Sequence, residues 1–200
     1  MPESGAQKLL VALTGIPYIA LFLNSFWSFP NGYDAIAYHV DIALKWLQHG
    51  TIQLSPAWGW KYSLPSNGEL PALVVLSLGL PRAVAFGNIF ATLLLATSVY
   101  LIAWRMTRNA TAALLAAIVP TTIPMVIYQT FQLYVDLFGT SFLIATVALF
   151  IWRDGNPPIL NFLSGYAAGI AAGSKPVFWG YCVVSLLPLS SVSSNRNRKF

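Results

Sequence analysis

The chain has 200 residues, about one domain's worth, of which 56% are hydrophobic, 14% aromatic and only 8% charged. Soluble domains carry about 25% charged residues, so eleven basic and six acidic side chains are too few to solvate a globule of this size. A mean hydropathy of +0.65 and a net charge of +5 on so apolar a chain exclude a soluble enzyme, a disordered tail and a nucleic-acid-binding domain, and the single cysteine, Cys182, excludes a disulfide framework or a cysteine zinc site.

The first apolar run, Leu9 to Phe26, follows Lys8 and at about 18 residues is long enough to span a bilayer. It exceeds the apolar core of a signal peptide, and Phe22–Trp27 lacks a small-x-small cleavage site, so it reads as a span. A polar and aromatic stretch follows, Ser28 to Leu70, holding Asp34, Asp41, Glu69, both histidines and two lysines. Within it Asn31-Gly32 predicts a turn and Asp34 a helix N-cap. Ile36, Val40, Ala43, Leu44 and Leu47 then recur at helical spacing, which predicts an amphipathic helix over 35–49 lying on the membrane surface. Asp41 and Lys45 are placed for an i,i+4 pair. His39 and His49 lack a metal-ligand spacing and read as surface residues.

Ala72 to Leu80, closed by Pro81-Arg82, is too short to span and predicts an interfacial or re-entrant helix. Ala83–Trp104 is a full span. Ala110–Tyr128 is another, with Pro120 and Pro124 able to kink it. Leu137–Trp152 follows, ended by Arg153-Asp154 and the turn Gly155-Asn156-Pro157-Pro158. Ile159–Gly173 and Val177–Leu189 are shorter candidates flanking Lys175. The fold class expected is therefore all-α: one polytopic bundle of about six spans over 1–200, with an outer loop of interfacial helices over 28–80.

Orientation follows from the bias of Lys and Arg in short loops. With the N-terminus cytoplasmic, six spans put Lys8, Arg105, Arg108, Arg153, Arg196, Arg198 and Lys199 inside. The long loop, Asp136 and Lys175 fall outside. A cell (plasma or inner) membrane protein is expected.

Four ionisable residues stand out on the outer side. Asp34 and Glu69 each sit where a carboxylate favours a helix start, so capping and site roles stay open for both. Asp136 is the only charge between Arg108 and Arg153, and Lys175 the only one between Asp154 and Arg196. An isolated charge in an apolar region is costly and marks function by default. Gly165, Gly169 and Gly173 precede Lys175 four apart, a smooth face suited to close helix packing. Carboxylates can act as a base or hold a divalent cation; a lysine beside them suits phosphate.

The run Tyr33-Asp34-Ala35-Ile36-Ala37-Tyr38-His39, continuing to Trp46-Leu47-Gln48-His49-Gly50, resembles the first outer loop of bacterial GT-C glycosyltransferases. These include the protein O-mannosyltransferase family (glycosyltransferase family 39) and the Rgt-type transferases that decorate lipopolysaccharide. Pro65-Ser66-Asn67-Gly68-Glu69-Leu70, Tyr134-Val135-Asp136-Leu137 and Gly169-Ile170-Ala171-Ala172-Gly173-Ser174-Lys175 match in the same order. The resemblance implies transfer of a sugar from a polyprenyl-phosphate donor to a glycan, lipid or protein acceptor at the outer membrane face. It implies Asp34 as catalytic base or metal ligand, Asp136 completing that site with a divalent metal ion as the candidate cofactor, and Tyr38, His39, Lys61, Glu69 and Lys175 as substrate-binding residues. Ala35 after Asp34, and Leu64 before Pro65-Ser66, depart from the family's adjacent acids and from its lysine preceding Pro-Pro; Lys61 stands near that place but out of register. Family members have more spans and a C-terminal region, so the chain is expected to be an N-terminal portion. The competing classes are a transporter or channel fragment and a non-catalytic membrane subunit.

Overall fold

The computed structural model describes residues 5–25, 29–152 and 157–185. Arg153, Asp154, Arg196, Arg198, Lys199 and the end of the last candidate span lie outside the described residues, and with them two of the four basic segments used for orientation.

The described residues are helical and contain no strand. α1 is Gly5–Ser25. A one-turn π-helix, Ala35–His39, runs into α2, Val40–His49. Three short 3₁₀ turns, Pro56–Trp58, Trp60–Ser63 and Asn67–Glu69, lead to α3, Leu70–Ser77. α4 is Phe86–Thr107, α5 Ala110–Thr121, α6 Pro124–Thr130, α7 Val135–Ile151 and α8 Pro158–Ala172. Residues 177–185 are helical again.

Among the described residues one helical stretch, Pro81–Thr107, is long and apolar enough to cross a membrane; α5 and α6 make a second only if taken as one broken span. The expected kink is a break: the two helices are bent by 72°. Pro120 inside α5 and Pro124 at the start of α6 each lack an N–H. Ile123, held extended before proline (φ −64°, ψ 126°), cannot continue the helix. The side chains of Thr121 and Thr122 donate to the carbonyls of Ile118 and Val119 at 2.8 and 3.0 Å, which satisfies groups the break exposes. Gln7–Ala20, α7 and α8 are shorter apolar helices, under the roughly 20 residues a spanning helix needs.

α4 lies at the centre, against α5 and α7, and α7 also packs on α8. Their shared core is Ala91, Leu95, Leu137 and Phe138, with Val99, Phe142 and Ile170 against it. Between the helices the buried polar residues are small: Thr92, Ser98, Ser141, Thr146 and Ser164. The hydroxyls of Thr92, Ser141, Thr146 and Ser164 donate to carbonyls, Ser164 to Thr146 at 3.1 Å. The large apolar side chains Phe90, Leu93, Val119, Phe162 and Tyr166 instead face outward, each more than half exposed.

The loop half has its own core, formed by Ala35, Val40, Ala43, Ala72, Leu76, Val84 and Leu133. The predicted helix over 35–49 is present, but its buried face differs. Ile36 and Leu47, expected on the apolar stripe, are 50% and 41% exposed, while Ile42 and Trp46 are buried. The π turn, closed by the Val40 N–H on the Ala35 carbonyl, inserts one residue and so rotates Ile36 by about 100° from the α-helical stripe. That stripe is occupied by α3, Val84 and Leu133 rather than left for a bilayer surface.

Candidate functional site

The loop is fastened to the bundle at its first turn. The backbone N–H groups of Asn31 and Gly32 both donate to the Gln132 side-chain carbonyl at 2.8 Å, and the Gln132 amide donates back to Asn31 at 3.0 Å. Gln132 lies in the turn joining α6 to α7. That turn is held by Asn88, 1% exposed in α4, whose amide nitrogen is 2.9, 2.8 and 2.8 Å from the carbonyls of Gln129, Gln132 and Tyr134. Sequence reasoning missed Asn88. The signal was an amide inside an apolar span, where an unsatisfied polar group is expensive.

Asp34 follows this turn. Its backbone is already helical (φ −65°, ψ −35°) and its side chain makes no cap bond, so the predicted N-cap role is absent and the half-buried carboxylate is left for other partners. Tyr134 lies beside it, bonded to the Asp34 backbone. Burial, and then the hydrogen bond with Tyr128, push the Tyr134 phenol above its ordinary range.

Tyr38 feels the charges of several predicted residues. Burial first, then the negative charges of Asp34, Asp136 and Glu69, push its phenol up to about 12. It is therefore a protonated O–H at neutral pH, acted on by the charges of carboxylates from the loop helix, from α7 and from the turn before α3. The Lys61 ammonium sits 4.4 Å from the centre of the Tyr38 ring, a cation–π contact that brings a positive charge to the same wall.

Asp136 occupies the first turn of α7. Its carboxylate accepts from the Lys175 ammonium at 2.7 Å, and the two side chains are 41% and 37% exposed. The two lone charges thus pair with each other at an accessible edge. His39, expected at the surface, is buried. Its Nδ1 lies 2.7 Å from Glu69 Oε1, and both residues are 2% exposed. Glu69 makes no cap bond to α3. His39 Nε2 and Glu69 Oε2 are buried without hydrogen-bond partners. His49 is exposed as expected and stacks on Trp58 at 4.9 Å.

The Asn67–Glu69 turn joins these parts. A Cβ on Gly68 would lie 2.5 Å from Val135 Cγ1, next to Asp136. A Cβ on Gly173 would lie 2.1 Å from Asn67 Nδ2, and the Asn67 N–H donates to the Gly173 carbonyl at 2.8 Å. The smooth-face expectation holds only there. At Gly165 and Gly169 an added Cβ would meet nothing within 4 Å, because α8 turns that face away from α7. Gly169 instead borders an open cavity of about 590 Å³, with Asn67, Leu70, Val74, Phe138 and Tyr166 among its walls.

The predicted pair of Asp41 and Lys45 forms at 2.9 Å. Tyr62 also donates to Asp41, and Lys45 lies 3.9 Å from the Tyr62 ring centre. Burial opposes the Asp41 charge, but Tyr62 and Lys45 outweigh it and hold the carboxyl below its ordinary range. This cluster fastens the 3₁₀ turns to α2. Among the described residues no three His, Cys, Asp or Glu side chains converge as a metal-ligand set.

The arrangement offers a carboxylate without a capping role, a protonated phenol and two cations at one edge of a helical bundle. No family model, no curated protein and no solved structure matches this chain.

Proposed function

We propose that the chain is a membrane glycosyltransferase that moves a sugar from a polyprenyl-phosphate donor to an acceptor at the outer face. The observation that carries the reading is the exposed ion pair of Lys175 and Asp136 at 2.7 Å, with Lys61 4.4 Å from the centre of the Tyr38 ring and the charges of Asp34, Asp136 and Glu69 acting on the Tyr38 phenol. The four sequence motifs that resemble GT-C enzymes supply Asp34, Tyr38, Glu69, Asp136 and Lys175 from separated segments.

In the reaction, Asp34 takes the proton of an acceptor hydroxyl as its oxygen bonds to the anomeric carbon. The bond from that carbon to the donor phosphate breaks, and the electron pair leaves with the polyprenyl phosphate. Lys175 can turn from Asp136 toward that phosphate, because a pair this exposed is worth only about 0–1 kcal/mol. Lys61 adds positive charge nearby, and the Tyr38 phenol can donate a hydrogen bond. Asp34 and Asp136 would be the residues to hold a divalent ion, which would offset the negative charge of the donor phosphate. Magnesium accepts one or two carboxylates and completes its shell with water and substrate phosphate, so the absence of a three-residue set is compatible with it.

Membrane insertion with six spans, the N-terminus cytoplasmic, is part of the reading. It is supported by small buried residues and large outward apolar ones, the pattern of helices packed in lipid, and by the lone charges gathered at one edge. Helices shorter than a full span then require local thinning or flanking residues that reach the interface. The transporter reading needs ionisable residues deep within spans, whereas Asp34, Lys61 and Glu69 lie in the loop.

The test is transfer by the purified full chain from labelled polyprenyl-phosphate sugars to a panel of glycan, lipid and peptide acceptors, with and without a chelator. Donor-dependent product in the chain, absent from a matched membrane control, supports the reading. No product with any donor refutes it. Loss with chelator, restored by magnesium or manganese, supports the metal; undiminished turnover removes the metal alone.

A further inference from the structure

The most unusual chemistry outside the accessible edge is the buried pair of His39 and Glu69. Two ionisable side chains, each 2% exposed and 2.7 Å apart, come from elements 30 residues apart. A carboxylate and an imidazole are costly to bury, and a buried pair is weak grounds for stability, since apolar residues of equal volume often serve as well. Their burial also keeps them from a substrate at the edge.

Their neighbours point to another task. His39 ends the π turn, and its ring lies 4.1 Å from the Tyr38 ring and 6.2 Å from that of Tyr134. Glu69 ends the Asn67–Glu69 turn. That turn touches α7 through Gly68 and Val135, one residue before Asp136. It touches the end of α8 through Asn67 and Gly173, two residues before Lys175. One short turn therefore contacts all three elements that bear the site. The Asn67–Gly173 backbone bond ties the turn to α8, but hydrophobic contact alone would leave it free to slide against the loop helix, where the His39–Glu69 hydrogen bond fixes a distance and a direction.

We infer that His39 and Glu69 are positioning residues: their buried hydrogen bond locks the Asn67–Glu69 turn between the loop helix, α7 and α8, and so sets Asp34 and Tyr38 against Asp136 and Lys175. The inference rests on the transferase reading for its catalytic consequence, but its geometry stands apart from it.

Two arms test it in the full chain with Cys182→Ser. The first needs no activity. Asn67→Cys with Gly173→Cys places two thiols at the contact between the turn and α8, and disulfide yield under mild oxidation reads the docking. High yield is expected with His39 intact and with His39→Asn, whose amide can donate from the place of Nδ1. A severalfold lower yield is expected with His39→Leu. Equal yields in all three overturn the inference.

The second arm reads turnover with labelled polyprenyl-phosphate sugars. A displacement of about 1 Å at a reacting centre can cost roughly a hundredfold. His39→Leu is expected to lower kcat by about that factor with KM within about twofold, and His39→Asn to restore most of it. A raised KM with kcat unchanged marks lost ground-state binding; it would make His39 a substrate contact and overturn the inference. Should His39→Leu fail to fold, His39→Leu with Glu69→Leu removes the stranded charge. That double variant is expected to fold but to keep low disulfide yield and low kcat, and full recovery of either sinks the idea. If the unsubstituted chain gives no turnover, the transferase reading fails and the disulfide arm alone decides the positioning role.

Discussion

At the scale of single residues, Asp34 and Asp41 show how identical side chains seven positions apart take different roles. Asp41 is paired by Lys45 and Tyr62; Asp34 makes no cap bond and faces Tyr38. Asp34→Asn is nearly isosteric and forfeits no cap, so expression and melting temperature should stay near the parent. Transfer should fall about 10²–10⁴-fold, the usual loss for a general base. Asp41→Asn removes a surface pair worth about 0.3–0.5 kcal/mol and should leave transfer near the parent. Parallel rate assays on both variants decide, and parent-like turnover in Asp34→Asn would overturn its assignment. Tyr38 carries a pH signature. Its phenol is raised to about 12 in the folded chain and titrates near 10 when unfolded. The folded state therefore holds this proton more tightly. The stability this gives is complete below pH 10 and is lost as pH rises from 10 toward 12. Thermal melts across that window should show a smaller fall for Tyr38→Phe than for the parent; equal falls would mean that the phenol is not held up.

At the scale of elements, the close approaches of the Asn67–Glu69 turn are what a sequence pattern conceals. Glycines four apart suggest a packed face, yet of the three only Gly173 is closely packed, and there against a loop side chain rather than a helix. The contrast is measurable. Gly68→Ala puts a methyl 2.5 Å from Val135, which forces the turn off α7 at a cost of about 1–3 kcal/mol. Gly169→Ala meets nothing within 4 Å and gains roughly 0.5–1 kcal/mol from helix propensity. Melting temperatures should move in opposite directions, down for Gly68→Ala and up for Gly169→Ala. The break between α5 and α6 belongs to the same scale. Two prolines four apart end one helix and start another, and the short α6 brings Gln129 and Gln132 under Asn88. A straight helix there would carry the Gln132 amide away from Asn31 and Gly32, and with it the anchor of the loop.

At the scale of the whole molecule, the bundle and the loop are two cores joined through few polar contacts. Small hydroxyl and alanine residues fill the bundle, and large apolar side chains face out. The loop core is conventional, with valine, leucine and alanine inside. Gln53 lies exposed in the loop and reports its side of the membrane. In a Cys182→Ser background, Gln53→Cys should react in intact cells with a maleimide that cannot cross the membrane. Reaction only after lysis would reverse the proposed orientation and put the site on the cytoplasmic face.

The sequence by itself determined what depends on neighbours along the chain. The helix over 35–49 follows from periodicity, the apolar helices expected over 83–104 and 137–152 and found over 86–107 and 135–151 from run length, the disruption at Pro120 and Pro124 from missing N–H groups, and the Asp41–Lys45 pair from i,i+4 spacing. Asp136 and Lys175 were legible as unusual because a lone charge in an apolar run needs no alignment to be noticed. Tertiary structure alone decided that they pair with each other, that His39 is buried against Glu69 and that Asn88 holds a turn more than 40 residues away. The π turn was also beyond sequence, since one inserted residue rotates a stripe without changing its composition. Local spacing sets which face a side chain occupies. Which partner meets that face depends on how separate helices and turns pack, and here that packing passes through Gly68 and Gly173, whose missing side chains leave no mark on the hydrophobic pattern.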